Sequence, residues 1–205
     1  EANAQALDAV QIVPRYGIRR VPPNLVTPLF GSDYSAPFGI APMGGPSIVL
    51  PGADAHLAAA AQKARVPYIL GSVAGMTLEQ AGRLAPDVLW FQLYRMARND
   101  YFYSDDLIDR ARSAGAKVLV LTMDVPARTP RPREVRRGLT SPFRLKPSHV
   151  IDALLAPRWL AALARHGRPT FASFLKYLDG KTDFASVSRF ASRELGGAFT
   201  WEDVA

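Results

Sequence analysis

Residues 88–94 read Val88-Leu89-Trp90-Phe91-Gln92-Leu93-Tyr94, and residues 117–124 read Lys117-Val118-Leu119-Val120-Leu121-Thr122-Met123-Asp124. Each is a short, nearly unbroken apolar run that turns polar only near its end, as strands buried on both faces do. Two more such runs precede them, Phe38 to Pro42 and Tyr68 to Ser72. Helical patterns fill the intervals at Ala53 to Arg65, Thr77 to Leu84 and Asp105 to Ala114. Strand alternating with helix from about residue 36 to 126 predicts βαβ units and a parallel sheet. The helix starts are chemically marked. Thr77 with Gln80 fits a capping box, and Ser104 before Asp105 and Asp106 sets acceptors and negative charge at a helix N-terminus.

Beyond Pro126 the pattern changes. Arg128, Arg131, Arg133, Arg136 and Arg137 alternate with Pro130 and Pro132, which reads as a basic loop with a mostly solvated face. An amphipathic stretch follows from about His149 to Arg165, and residues 167–198 read as a long mobile connection. Phe199 to Val204 looks like the opening of a new helix capped by Thr200. No fifth strand is predicted.

The 205 residues carry 48% hydrophobic and 21% charged side chains, enough apolar material for a folded domain. The absence of cysteine removes disulfide frameworks, thiolate metal sites and cysteine nucleophiles, and no metal site is expected. No apolar run reaches the ~20 residues of a membrane-spanning helix, and the N-terminus lacks the order of a signal peptide. A cytoplasmic place is expected, with peripheral contact at the inner face of the membrane through the amphipathic stretch as its extension. The net charge of +7 is compatible with an anionic partner and decides little alone. The chain opens on Glu1 rather than Met and is read as incomplete at both ends.

Where the polar residues fall is more telling. In a (β/α) barrel the chemistry sits at the carboxyl ends of the strands. Here those ends read Ala41-Pro42-Met43-Gly44-Gly45, Gly71-Ser72, Gln92-Leu93-Tyr94 and Thr122-Met123-Asp124. Side chains two apart share a strand face, so Gln92 goes with Tyr94 and Thr122 with Asp124. Taken singly, Gln92 or Thr122 reads as a satisfied interior group, Tyr94 as an interface aromatic and Asp124 as a turn residue. Taken together beside a Gly-Gly turn, they read as one convergent site. There is no Walker loop and no GxGxxG after a strand, so a nucleotide would be held in another way.

These residues resemble the FMN-dependent 2-hydroxy acid oxidase and dehydrogenase family, whose members act on glycolate, lactate or mandelate. The resemblance runs through Val13-Pro14-Arg15, Leu29-Phe30-Gly31, Ile40 to Gly44, Leu70-Gly71-Ser72, Trp90 to Tyr94, Leu121 to Pro126 and Thr200 to Val204. It implies an α/β fold, the eight-stranded (β/α) TIM barrel, of which this chain supplies about the first four βα units and the long excursion after strand four. Residues 1–205 would be the N-terminal half of one FMN-binding domain, with 127–198 a basic, amphipathic and mobile excursion within it. The resemblance further implies that Ala41, Pro42, Met43 and Gly44 lie against the flavin ring. Ser72, Gln92 and Thr122 would bond its polar atoms. Tyr94 would donate to the substrate, Asp124 would pair with the catalytic histidine, and Arg131 would fork onto the substrate carboxylate, with Arg133 as its competitor.

The family's histidine base, in an S-N-H-G-G-R motif, is not in this sequence. His56, His149 and His166 lack that context and read as ordinary helix or surface residues. The later lysine, the second substrate arginine and the glycine-rich phosphate grip are also missing. The implied partners are therefore a C-terminal half carrying that motif, whether cleaved, encoded separately or continuous with this chain, and a small 2-hydroxy acid. A homo-oligomer of the completed barrel is expected, and no nucleic acid. The reading in a different class is a non-catalytic basic binding module on the same scaffold.

Overall fold

A computed structural model of the chain describes residues 2–19, 21–123, 132, 136, 147–178, 180, 183–197 and 199–204. Helix α1 (Ala2–Asp8) leads into an arm without regular structure whose apolar side chains face solvent, Ile12 at 93% exposure and Tyr16 at 88%. A hairpin follows, β1 (Thr27–Leu29) antiparallel to β2 (Ser32–Tyr34). Its two turn residues, Phe30 and Gly31, both have positive φ, 48° and 78°, matching the twist that two-residue hairpins favour. The sequence reading does not anticipate this hairpin. It packs beside the amino end of the next-but-one strand: Trp90 Nε1 donates to the Tyr34 hydroxyl at 2.8 Å, and Phe30 meets the Trp90 ring edge-on at 5.4 Å.

After the short helix α2 (Pro46–Val49) and α3 (Ala53–Ala64), the expected alternation appears. It runs β3 (Tyr68–Gly71), α4 (Leu78–Leu84), β4 (Leu89–Leu93), α5 (Phe102–Ser113) and β5 (Leu119–Leu121). The strands form a parallel three-stranded sheet in the order β3-β4-β5. Leu70, Leu89, Phe91 and Leu93 are buried between the sheet and α3, α4 and α5, which contribute Ala58, Ala61, Leu78, Ala81 and Leu107 to the same core. Burying each large side chain stabilises by about 1.5–3 kcal/mol. The capping box at Thr77 is present, with Gln80 N donating to Thr77 Oγ1 at 3.2 Å and Thr77 N to Gln80 Oε1 at 3.1 Å.

Several sequence expectations are corrected. The run Phe38 to Pro42 is not a strand but one parallel bridge, Ile40 to Tyr68. Pro42 and Pro67 lack N–H donors, so only Ile40 N to Pro67 O and Ile69 N to Ile40 O hold it. The strand expected over 117–124 is regular only at Leu119–Leu121 and is half-buried, because it forms the sheet edge among the described residues. Helix α5 begins at Phe102, not Asp105. Its N-cap Tyr101 has φ 60° and no side-chain cap, while Ser104 Oγ donates to Met96 O at 3.1 Å instead.

A further correction concerns residues 167–198. They hold a 3-10 helix (Ala172–Tyr177) and, after α6 (Pro147–Leu154) and α7 (Pro157–His166), a further helix α8 (Phe184–Glu194) capped by Asp183. Phe174 and Val187 are fully buried, and Phe190 meets the Tyr103, Phe174 and Tyr177 rings. Ion pairs complete the docking: Lys176 to Asp106, and Arg110 to Glu79, with Arg110 Nη1 also donating to Ser173 O at 3.0 Å. The amphipathic stretch is two helices rather than one, because Pro157 opens the second at its N1 position. At the chain's far end, Thr200 Oγ1 accepts from Asp203 N at 3.3 Å and Thr200 N donates to Asp203 Oδ2 at 2.6 Å, in a turn rather than a helix.

Candidate active site

The carboxyl ends of the three strands finish level because the register pairs Gly71 with Gln92 and Leu93 with Leu121. Gln92, only 3% exposed, reaches across to β5, and its Nε2 donates to Thr122 Oγ1 at 2.6 Å. An amide buried without a partner would cost about 1–3 kcal/mol, which Thr122 helps to offset. Gly71 permits a third group to join them. A Cβ there would stand 3.3 Å from Met43 O and 3.4 Å from Gln92 Oε1, so only a bare backbone leaves this approach unstrained. Met43, Gln92 and Thr122 are thus drawn to one place, while Ala41, Met43 and Gly44 stay open to solvent.

Ser72 is wholly buried, and its hydroxyl works inside the sheet. Oγ donates to Gln92 O at 2.7 Å and accepts from Tyr94 N at 3.3 Å. It ties the end of β3 to the end of β4 and fixes the backbone from which Tyr94 departs. The Tyr94 side chain is half-buried, and its hydroxyl has no hydrogen-bond partner among the described residues. Asp124, Arg131 and Arg133 lie outside the described residues. The structure brings the Met43 backbone, Gln92 and Thr122 together, with Ser72 bracing the sheet beneath them and Ala41, Gly44 and Tyr94 close to them along the chain. They offer an exposed backbone segment and a paired amide and hydroxyl. Among the described residues no cluster of three His, Asp or Glu could serve as metal ligands.

Two supports of this site escape sequence reading. Asp54, 3% exposed, accepts from Ser47 Oγ at 2.5 Å and from Gly75 N at 3.1 Å. It joins the loop after Pro42 to the loop after Ser72, and Gly45 N to Val73 O at 3.1 Å closes the same seam. Burial pushes the Asp54 carboxyl up from its ordinary range, against hydrogen bonds, those from Ser47 and Gly75 first, that pull it down. Sequence shows Asp54 only as an acid in the first turn of α3, the usual place for dipole pairing. The second support is a clamp. Arg95 Nε and Nη2 each donate to an Asp203 oxygen at 3.0 Å, and the Tyr101 hydroxyl joins both. Arg95 holds the Asp203 carboxyl well below the usual range. The clamp steadies Asn99, Asp100 and Tyr101, whose φ values of 52°, 54° and 60° make a left-handed run that costs roughly 1–2 kcal/mol per residue. A contact spanning 108 residues leaves no local signal.

A family profile described as FMN-dependent dehydrogenase matches residues 1–205. The chain is 31% identical to (S)-mandelate dehydrogenase of Pseudomonas putida over 87% of its own length and 44% of that protein. It is 26% identical to L-lactate dehydrogenase of Pseudomonas syringae pv. syringae over 88% of itself and 47% of the relative. Among solved structures, one described as the monotopic membrane protein (S)-mandelate dehydrogenase superposes with TM-score 0.81 at 29% identity, covering 94% of this chain and 50% of that one. A mandelate oxidase superposes with TM-score 0.68 at 28% identity, covering 99% and 48%. The chain thus spans about half the length of the relatives it matches.

Proposed function

The chain belongs to the FMN-dependent dehydrogenase family, and from that premise we propose that the intact protein oxidises a 2-hydroxy acid to the 2-oxo acid with FMN as cofactor. The observation that supports this reading is the approach of the Met43 backbone, Gln92 and Thr122 at level strand ends, with Tyr94 following β4 directly. Ala41, Met43 and Gly44 are exposed, which supports a ring lying against their backbone. Gln92 and Thr122 would meet the ring's polar edge as a preset pair, and Ser72 would keep that edge in register while retaining one free lone pair. FMN, when bound, supplies the electron acceptor.

The other steps belong to side chains. Tyr94 donates its phenolic hydrogen bond to a substrate oxygen. Asp124 orients and stabilises a histidine base in its cationic form, and Arg131 forks onto the substrate carboxylate, as arginine does better than lysine. That base comes from the C-terminal half. Within this chain His56 and His166 face each other edge-on at 5.5 Å, and His149 sits on α6. The same half would cover the edge of β5 that no described strand pairs, where Leu119 is 41% exposed, and the apolar arm before the hairpin. An unpaired edge and bare apolar side chains are what a completing half-barrel buries. The whole barrel is proposed to assemble as a homo-oligomer in the cytoplasm.

Peripheral membrane contact is part of the proposal. Among the described residues no helix is long and apolar enough to cross a membrane. Val150, Ile151, Leu154 and Leu155 of α6 and its end nevertheless stand exposed, which supports a helix pair lying at a lipid surface. The decisive experiment is anaerobic mixing of the purified intact protein with mandelate, lactate or glycolate. Loss of the oxidised-flavin absorbance with one of them is expected. A protein that binds no flavin and instead retains nucleic acid in a salt-sensitive way would overturn the reading in favour of a basic binding module.

A further inference from the structure

A concavity lies behind the loops that Asp54 joins, and none of Met43, Ser72, Gln92, Tyr94 and Thr122 lines it. It has a volume of about 310 Å³ and sits between the start of α3, the face of α4 and the chain leaving α7. Its polar lining is Ser47, Asp54, Gln80, Arg83, His166 and Arg168, and its walls include the bare backbone of Gly52 and Gly75. Volumes of about 300 Å³ and above are typical of small-ligand sites, and a phosphate ester occupies only part of such a space.

The charges around it are unbalanced for a specific reason. Each acid on the facing elements already has partners, and only Asp54 lies in the lining itself. On α4, Glu79 pairs with Arg110 of α5. Asp87, just after α4, accepts from Gln62 Nε2 at 2.7 Å. Asp54 is taken by Ser47 and Gly75. Arg83 and Arg168 have no ion-pair partner among the described residues. His166 is preset: its ring lies against Gly52, where a Cβ would come within 2.6 Å of it, and His56 meets it edge-on at 5.5 Å. Trp159 Nε1 donates to Ile48 O at 3.3 Å, fixing α7 to the same wall. Two guanidinium groups without an ion-pair partner among the described residues and one held imidazole therefore line one concavity, whose single carboxylate, Asp54, is engaged by Ser47 and Gly75.

We propose that this concavity binds a phosphoryl group, held by Arg83, Arg168 and His166, with Gln80 as a neutral donor. Arginine forks suit phosphate oxygens, and an imidazole adds a third donor. The group arrives either on a soluble phosphate ester or on a phospholipid headgroup, and the test separates the two.

Binding of inorganic phosphate is measured by calorimetry at constant ionic strength, on the intact protein saturated with FMN so that the flavin's own phosphate site is filled. Arg83→Gln and Arg168→Gln each lower the affinity about tenfold, and the double variant about a hundredfold. Arg158→Gln, on α7 and outside the concavity, leaves it unchanged. Equal phosphate affinity in wild type and double variant overturns the proposal, and so does an equal loss in Arg158→Gln, which would mean unspecific attraction. Flotation with vesicles containing phosphatidic acid then assigns the source. Loss of vesicle binding in the double variant identifies the headgroup, and unchanged vesicle binding beside lost phosphate binding identifies a soluble ester.

Discussion

The Gln92 side-chain amide donates to the Thr122 hydroxyl at 2.6 Å across two neighbouring parallel strands, and this bond joins the carboxyl ends of β4 and β5 at the candidate flavin edge. Thr122→Val keeps the shape and removes the acceptor. Flavin dissociation constants, read by fluorescence, are expected to rise about tenfold, the effect of one hydrogen bond of about 1.4 kcal/mol. An unchanged constant would place the flavin elsewhere.

Tyr94 carries no partner on its hydroxyl among the described residues, whereas its backbone is fixed by Ser72. Tyr94→Phe should therefore leave the flavin spectrum and thermal midpoint as they are. The kcat/KM for the hydroxy acid is expected to fall by about ten- to a hundredfold, as when one donor to a reacting oxygen is lost. A parallel drop in flavin content would instead make Tyr94 a structural residue.

Asp54 offers a pH test. Its folded-state pKa is raised, chiefly by burial, so the folded protein holds the proton more tightly than the unfolded chain. Stability from this group is fully present at low pH and declines as pH rises from the ordinary carboxylate range through the raised value, where it levels off. In Asp54→Asn that decline is absent. Midpoints of wild type and variant, compared from pH 4 upward, should diverge in the variant's favour over roughly this window. Asp54→Ala differs: it strands the Ser47 hydroxyl and Gly75 N–H and costs about 1–3 kcal/mol for each.

Glu79 behaves in the opposite sense. Arg110 holds its carboxyl down at about 2, so its contribution is present above the unfolded value and disappears as pH falls toward 2. The side chain is 46% exposed, so solvent screening limits the pair to about 0.5–1 kcal/mol. Glu79→Gln should lower stability by that amount at pH 7 and by nothing near pH 2.

Phe190 tests the docking of α8. Its ring sits among Tyr103, Phe174 and Tyr177 and is 6% exposed. Phe190→Ala should cost about 3–5 kcal/mol and make residues 184–194 the first to exchange amide hydrogens. Unchanged protection there would mean that the helix does not depend on this cluster.

The parallel strands were legible because each is a compact apolar run closed by polar residues, and the capping box at Thr77 because it is written within four residues. Burial on both strand faces and helix capping are local demands, so they leave local marks. For the same reason the sequence placed Gln92 and Thr122 at neighbouring strand ends, where the structure shows them bonded. What it determined was the alternation of elements and which residues stand at strand ends.

Only the tertiary structure decided the rest. The bridge at Ile40 depends on prolines in two segments, the clamp of Arg95 on Asp203 spans more than half the chain, and Asp54 is buried because two loops close over it. The helices within residues 167–198 show little by themselves, since their apolar side chains have meaning only against α5. Such contacts join residues distant in sequence, and the free energy that selects them exists only once the partners have met.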